Sequence, residues 1–219
     1  MLSINTPILI TGLPRSGTSL VAGCIKICGA FGGDLEPANR WCEKGFFENT
    51  EIRTTIVKTI LWYSGFCDVG VLLLPPVNHP FKSMNIKNSV NEIIKKQGYN
   101  FDRPWFFKDA KLCLQYKLWQ RAFPNAVWIV VSRNKESVLE SCKKSFMSNN
   151  NLTDEQWNKW HWDYTEHIHE MSKNVKVNYI SSDNLMAGVT TQLEKITDML
   201  GLKCRRSVLD FIDNKLWHY

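Results

Sequence analysis

Between Gly12 and Ser19 the chain reads Gly-Leu-Pro-Arg-Ser-Gly-Thr-Ser: two glycines separated by four residues, then two hydroxyl residues. That spacing is the one a phosphate-cradling loop needs. The glycines let the backbone close around an anion, the N–H groups that open the following helix point inward, and the helix dipole favours negative charge. Thr18 stands where the nucleoside-triphosphate loops carry lysine, and Arg15 supplies a cation from within the loop instead. Thr18 and Ser19 add hydroxyl donors. With no lysine to reach a γ-phosphate and no evident carboxylate closing a strand to hold magnesium, the pattern predicts an anion site and disfavours ATP hydrolysis.

Other groups that could do chemistry are weaker. His161, His167 and His169 share a segment with Trp157, Trp160 and Trp162, but spacings of six and two do not stack the imidazoles on one helical face. No metal site is expected there, and the tryptophans read as core or as the wall of a cleft. The seven cysteines (Cys24, Cys28, Cys42, Cys67, Cys113, Cys142 and Cys204) are odd in number and form no C-x-x-C pair. They predict reduced thiols in a cytoplasmic protein.

The net charge of +6 favours anionic ligands, yet the surplus is dispersed in short pairs such as Lys95-Lys96, Lys143-Lys144 and Arg205-Arg206. No basic arm points to nucleic acid. No apolar run approaches the roughly 18 residues that cross a bilayer, so no membrane span is expected. A length of 219 residues suits one domain over 1–219.

The elements that must position the loop follow from local patterning. Pro7 opens the apolar run Ile8-Leu9-Ile10-Thr11, whose continuous β-branched character suits a strand buried on both faces. Thr18 to Cys28 is apolar at helical spacing, with Gly29 as its stop. Residues 30–48 read as irregular. Asn49 caps a helix to about Ser64, with Ile52, Ile56, Ile60 and Tyr63 as its buried stripe. A short helix follows near Val90–Gln97, then a strand at Pro104–Phe107 and a helix over 110–122 that Pro124 ends. Ala126–Ser132 is the clearest strand; Asn134 caps the helix after it, running to about Met147. A long helix over 153–173, a strand at Val175–Ile180 and a helix at Thr190–Leu200 complete the order. Strands alternating with helices predict an α/β fold: a doubly wound parallel sheet in three layers, helix, sheet and helix.

On this framework the chain resembles the sulfotransferase family. Pro14-Arg15-Ser16-Gly17-Thr18-Ser19 is similar to that family's loop for the 5′-phosphosulfate. A second family signature is an arginine closing a strand with a serine eight residues on; Arg133 and Ser141 stand in those places. The resemblance implies that this pair holds a 3′-phosphate, and the residue types suit it, a forked guanidinium with a hydroxyl to complete the shell. Lys44-Gly45-Phe46-Phe47-Glu48-Asn49 is similar to a stretch of bacterial sulfotransferases in which the glutamate serves as general base, which implies that role for Glu48. The same glutamate also suits the dipole of the helix that Asn49 caps. Phe106-Phe107-Lys108-Asp109 resembles the family strand ending Lys-Asp-Pro-Arg, with Ala110-Lys111 in place of the last two. Lys108 would then neutralise charge on the bridging oxygen, and Asp109 reads as a helix cap. Val177 to Leu185 resembles the family's Tyr-Glu-Asp-Leu segment, with Ser182 where the tyrosine stands.

The resemblance thus implies transfer of a sulfuryl group from 3′-phosphoadenosine-5′-phosphosulfate (PAPS), without a metal, to a hydroxyl- or amine-bearing acceptor. Adenosine 3′,5′-bisphosphate would be the product. Arg15, Ser16, Gly17, Thr18 and Ser19 would hold the phosphosulfate, Arg133 and Ser141 the 3′-phosphate, with Glu48, Arg15 and Lys108 catalytic. A small-molecule kinase with a phosphate loop and a catalytically inactive nucleotide-binding module are the alternatives. Acceptor choice is expected to reside in residues 30–48 and 65–103.

Overall fold

The computed structural model describes residues 4–203 and 207–212, with the side chain of Phe146 excepted. Cys204 and the Arg205-Arg206 pair lie outside the described residues. In chain order the elements are β1 (Pro7–Gly12), α1 (Thr18–Ile27), then α2 (Thr50–Ile52), which passes through a π-helical stretch (Arg53–Lys58) into α3 (Thr59–Tyr63). α4 (Ile86–Lys96) and β2 (Trp105–Lys108) follow, then a 3₁₀ segment (Ala110–Gln115) continuous with α5 (Tyr116–Ala122). β3 (Val127–Ser132) and α6 (Lys135–Lys143) lead through a 3₁₀ turn (Phe146–Asn150) to α7 (Asp154–Asn174). β4 (Val177–Ser181), α8 (Ser182–Met186), α9 (Thr191–Met199) and α10 (Ser207–Phe211) complete the order.

The four strands form one parallel sheet in the order β2-β1-β3-β4. The alternating Cβ directions of a strand explain why both faces are apolar. Leu9, Phe107, Trp128 and Val130 face a core closed by residues of α2, the π stretch, α4, α5, α6 and α7. Ile8, Ile10, Phe106, Ile129, Val131 and Ile180 face a second core with α1, α8, α9 and α10. The three-layer, doubly wound α/β architecture is therefore as the sequence predicts. Neighbouring strands β1 and β3 feed connections that run to opposite edges of the sheet. Their carboxyl ends, Gly12 and Ser132, open the crevice where open α/β folds bind ligands.

Several boundaries differ from expectation. α4 begins at Ile86, before the predicted Val90, and α6 ends at Lys143, short of Met147. The short helices α8 and α10 carry too few residues for a periodic signal. The largest correction concerns the helix after Asn49. Ile52, Ile56 and Ile60 are buried, but Tyr63 is 76% exposed, and Val57 and Leu61 are fully buried. The cause is the π stretch, whose i→i+5 turns advance the face more slowly than an α-helix does. Local chemistry loosens the ladder there: the hydroxyls of Thr54 and Thr55 donate to the carbonyls of Thr50 and Glu51 at 2.8 and 2.6 Å, and that of Thr59 to Thr54 at 3.1 Å.

Candidate active site

The loop after β1 is bent by backbone that few residues tolerate. Gly12 has φ +157°, and a Cβ there would lie 2.5 Å from the carbonyl oxygen of Val131. Gly17 (φ +91°) caps α1 without a side-chain acceptor, and the first turn of α1 holds no acidic residue. The positive end of the helix therefore faces the loop without a fixed anion. Ser16 is buried, and its Oγ has no hydrogen-bond partner. A buried, unmatched hydroxyl is costly unless something completes it.

Arg15 is held at φ +68°. Its Nε donates to Ser141 Oγ at 2.9 Å and one terminal nitrogen donates to the Trp41 carbonyl at 3.2 Å. Arg133, at the end of β3, donates to the Arg15 carbonyl at 3.1 Å. Arg15, Arg133 and Ser141 thus form one cluster, although 126 residues separate Arg15 from Ser141. The two stretches expected to hold phosphate, far apart in the sequence, meet at the switch point of the sheet. Nearby, Asp183 accepts from the Asn134 amide at 2.8 Å and Ser182 donates to the Ser132 carbonyl at 3.1 Å. In this chain these two residues tie β4 to the end of β3.

Opposite the loop lies a second polar cluster. Lys108 ends β2 with a side chain only 3% exposed, and its Nζ donates to Glu48 Oε1 at 2.7 Å and to Ser19 Oγ at 3.3 Å. Ser19 Oγ in turn donates to the Phe46 carbonyl at 3.0 Å. The other oxygen of Glu48 accepts from Arg53 at 3.1 Å, and Arg53 also pairs with Glu36 at 2.5 Å. Burial alone would raise the Glu48 pKa, but the charges of Lys108, Lys111 and Arg53 outweigh it and hold the carboxyl below its ordinary value. Asp109 caps the 3₁₀ segment by accepting from the Lys111 amide at 2.8 Å and pairs with Lys111 Nζ at 2.9 Å. Burial would lower the Lys111 pKa, and the charges of Asp109 and Glu48 turn the shift upward. The cap role read for Asp109 is the one it has.

Both clusters border one cavity of about 380 Å³. Arg15, Gly17, Thr18 and Ser19 line one side of it, and Glu48, Arg53, Lys108 and Lys111 another. Arg133, Met186 and Phe211 also line it, as do Lys58, Asp68 and Val69. Of the regions expected to select an acceptor, 41–48 and 68–69 reach this cavity. The tryptophans of α7 do not: Trp157 and Trp160 are core, Trp160 donating to the Gly70 carbonyl at 3.1 Å, while Trp162 is exposed. His167 is buried with its Nε2 2.9 Å from the Pro75 carbonyl. Among the described residues no group of three or more His, Cys, Asp or Glu could hold a metal ion, and the six described cysteines are free. Among the same residues no helix is long and apolar enough to cross a membrane.

Sequence reasoning missed Arg53 and Lys58. Five residues apart, they would point about 140° from each other on an α-helix of 3.6 residues per turn. The wider turn of the π stretch brings both to the cavity, and Lys58 pairs there with Asp68 at 3.2 Å. The Thr54-Thr55 pair is the one local signal that the helix is not regular.

No protein-family model and no curated protein sequence matches the chain. Solved structures do. The sulfotransferase domain from the curacin biosynthetic pathway superposes with a TM-score of 0.60 at 13% identity, covering 99% of this chain and 80% of that one. The sulfotransferase domain of the Synechococcus PCC 7002 olefin synthase gives 0.53 at 14% identity, covering 97% and 79%. A Mycobacterium tuberculosis sulfotransferase gives 0.53 at 12% identity, covering 98% and 72%. At such identities the likeness speaks for the architecture alone, and by that measure this chain has the sulfotransferase fold.

Proposed function

We propose that the chain is a sulfotransferase that moves a sulfuryl group from PAPS to a hydroxyl or amine of an acceptor. One observation carries this reading. A loop built for an oxyanion and a buried carboxylate–lysine pair border the same cavity, at the switch point of a sulfotransferase-fold sheet.

The residues present suit such a donor. The unpartnered Ser16 hydroxyl and the uncapped start of α1 are the groups a phosphosulfate would complete. Ser16, Gly17, Thr18 and Ser19 would hold it, with Arg15. Arg133 and Ser141 would hold the 3′-phosphate, whose oxygens would replace the contact that Arg15 and Ser141 make with each other. When bound, PAPS supplies a sulfuryl group already activated by its anhydride link to phosphate.

The chain supplies alignment, charge and a base. Arg15 and Lys108 would supply positive charge to the oxygen that keeps the electrons of the breaking S–O bond. Glu48, ionised at neutral pH, takes the proton of the acceptor hydroxyl or amine as its oxygen or nitrogen bonds to sulfur. Lys108 couples the two events. Shifting toward the leaving oxygen, it would uncover Glu48 Oε1 and let the carboxylate regain basicity toward the acceptor. Burial makes each of these electrostatic effects stronger than it would be in water.

The test is to incubate the protein with PAPS and a panel of hydroxyl and amine acceptors, and to measure adenosine 3′,5′-bisphosphate with and without each. Acceptor-dependent release of that product is expected. Release of ADP from ATP with magnesium, with no turnover of PAPS, would replace this reading with the kinase one.

A further inference from the structure

The mechanism above uses Glu48 Oε1 and Lys108 and leaves the other side of the carboxylate unexplained. That side is built as closely as the first. Glu36 and Glu48 lie on paired stretches: the Glu36 amide donates to the Glu48 carbonyl at 2.8 Å, Leu35 bridges Asn49, and the Thr50 amide donates to the Asp34 carbonyl at 3.0 Å. Glu48 lines the cavity, and Glu36 lies on the stretch paired beside it. Arg53, the first residue of the π stretch, spans both, reaching Glu36 at 2.5 Å and Glu48 Oε2 at 3.1 Å. Asn49, next after Glu48 in sequence, accepts from the Ile52 amide at 3.2 Å and donates to the Gly32 carbonyl at 3.1 Å, which fixes the start of the helix that carries Arg53.

We propose that Arg53 is a positioning residue for Glu48: its guanidinium grips the carboxylate oxygen that Lys108 does not touch and ties it to Glu36, so that Glu48 stays in place and ionised when Lys108 turns to the donor. This inference rests on the reading of Glu48 as the group that takes the acceptor proton. The groups facing Glu48 are Lys108 from β2, Lys111 from the 3₁₀ segment and Arg53 from the π stretch, with Glu36 beyond Arg53. Two of those cations have other duties. Lys111 is paired with Asp109, and Lys108 bonds Ser19 at the phosphate loop. The contacts described for the Arg53 guanidinium are to the two carboxylates. A guanidinium can hold two carboxylates with separate nitrogens in a fixed fork, which an ammonium cannot reproduce. Without it, Glu48 loses the cation on its second oxygen, and proton uptake becomes easier.

The experiment follows the Glu48 carboxyl by ¹³C NMR through a pH titration of the full chain, assigned with Glu48→Gln, in the wild type, Arg53→Gln and Arg53→Lys. Turnover is measured in parallel, and donor-site binding by calorimetry with adenosine 3′,5′-bisphosphate. Removing a positive neighbour raises a carboxyl pKa, so Arg53→Gln should move the Glu48 midpoint up. The acid limb of kcat should move the same way, kcat should fall about tenfold or more, and nucleotide affinity should stay within about twofold. Arg53→Lys should restore much of the midpoint and little of kcat. An unchanged Glu48 midpoint in Arg53→Gln, with an unchanged acid limb, would reduce Arg53 to a tie between loop and helix and overturn the proposal. A shifted midpoint in a protein that turns over no PAPS would uphold the positioning and sink the transferase reading instead.

Discussion

The cavity has two walls, made in opposite ways. One wall is a strand, a loop and a helix contiguous in sequence, from Pro7 to Ile27, and its shape is set by the backbone at Gly12, Arg15 and Gly17. The facing wall is assembled from an irregular stretch, a π-helical turn and a strand end, and is held by ion pairs among Glu36, Glu48, Arg53 and Lys108. Backbone geometry leaves a fixed signature in glycine spacing. Ion pairs between distant segments leave almost none. The first wall is shaped by one contiguous segment, and the second by charges brought together from three.

The largest expected effect separates the walls by function. Glu48→Gln should lower turnover by about 10²–10⁴-fold, the range of general-base catalysis, while nucleotide affinity stays near that of the wild type. Loss of nucleotide affinity together with turnover would show that the two walls do not divide the work.

Next is packing under the charged wall. Leu61→Ala, at a fully buried position, should cost about 2–5 kcal/mol by denaturant unfolding. Tyr63→Ser, at a position 76% exposed, should stay within about 0.5 kcal/mol. The reverse order would mean that the helix runs as a regular α-helix and that Arg53 and Lys58 do not share the cavity.

On the cradle side, Arg133→Ala should weaken binding of adenosine 3′,5′-bisphosphate by about 1.5–3 kcal/mol, the worth of a hydrogen bond to a charged group, and spare adenosine 5′-phosphate. Equal losses for the two nucleotides would remove Arg133 from the 3′-phosphate.

The smallest effect concerns acid stability. The Glu48 pKa is depressed in the fold, so its pairing stabilises the protein above the ordinary value of 4.5 and is lost as pH falls through the lowered one. The wild-type Tm should therefore drop on acidification below about pH 4.5 more steeply than that of Glu48→Gln. Parallel curves would mean that the carboxylate gains no net stabilisation from its cations.

How much was legible follows the same division. Gly12, Gly17 and the run Ile8–Thr11 announce the cradle because each depends only on its neighbours in sequence. The buried strands betray the parallel sheet for the same reason. Arg133 and Ser141 can be paired with the loop only through a family pattern, since nothing local says that β3 lies beside β1. Lys108 and Glu48 are visible one at a time, but their 2.7 Å contact spans 60 residues. Arg53 and Lys58 are hidden by an α-helical projection that the threonine hydroxyls undo. A change of helix type moves the face without changing the composition.

The most direct measurement is calorimetric titration with adenosine 3′,5′-bisphosphate, beside adenosine 5′-phosphate and ATP with magnesium. The account predicts tight binding of the bisphosphate that needs no metal and weakens sharply when the 3′-phosphate is missing. No binding of the bisphosphate, or a preference for ATP with magnesium, would contradict it.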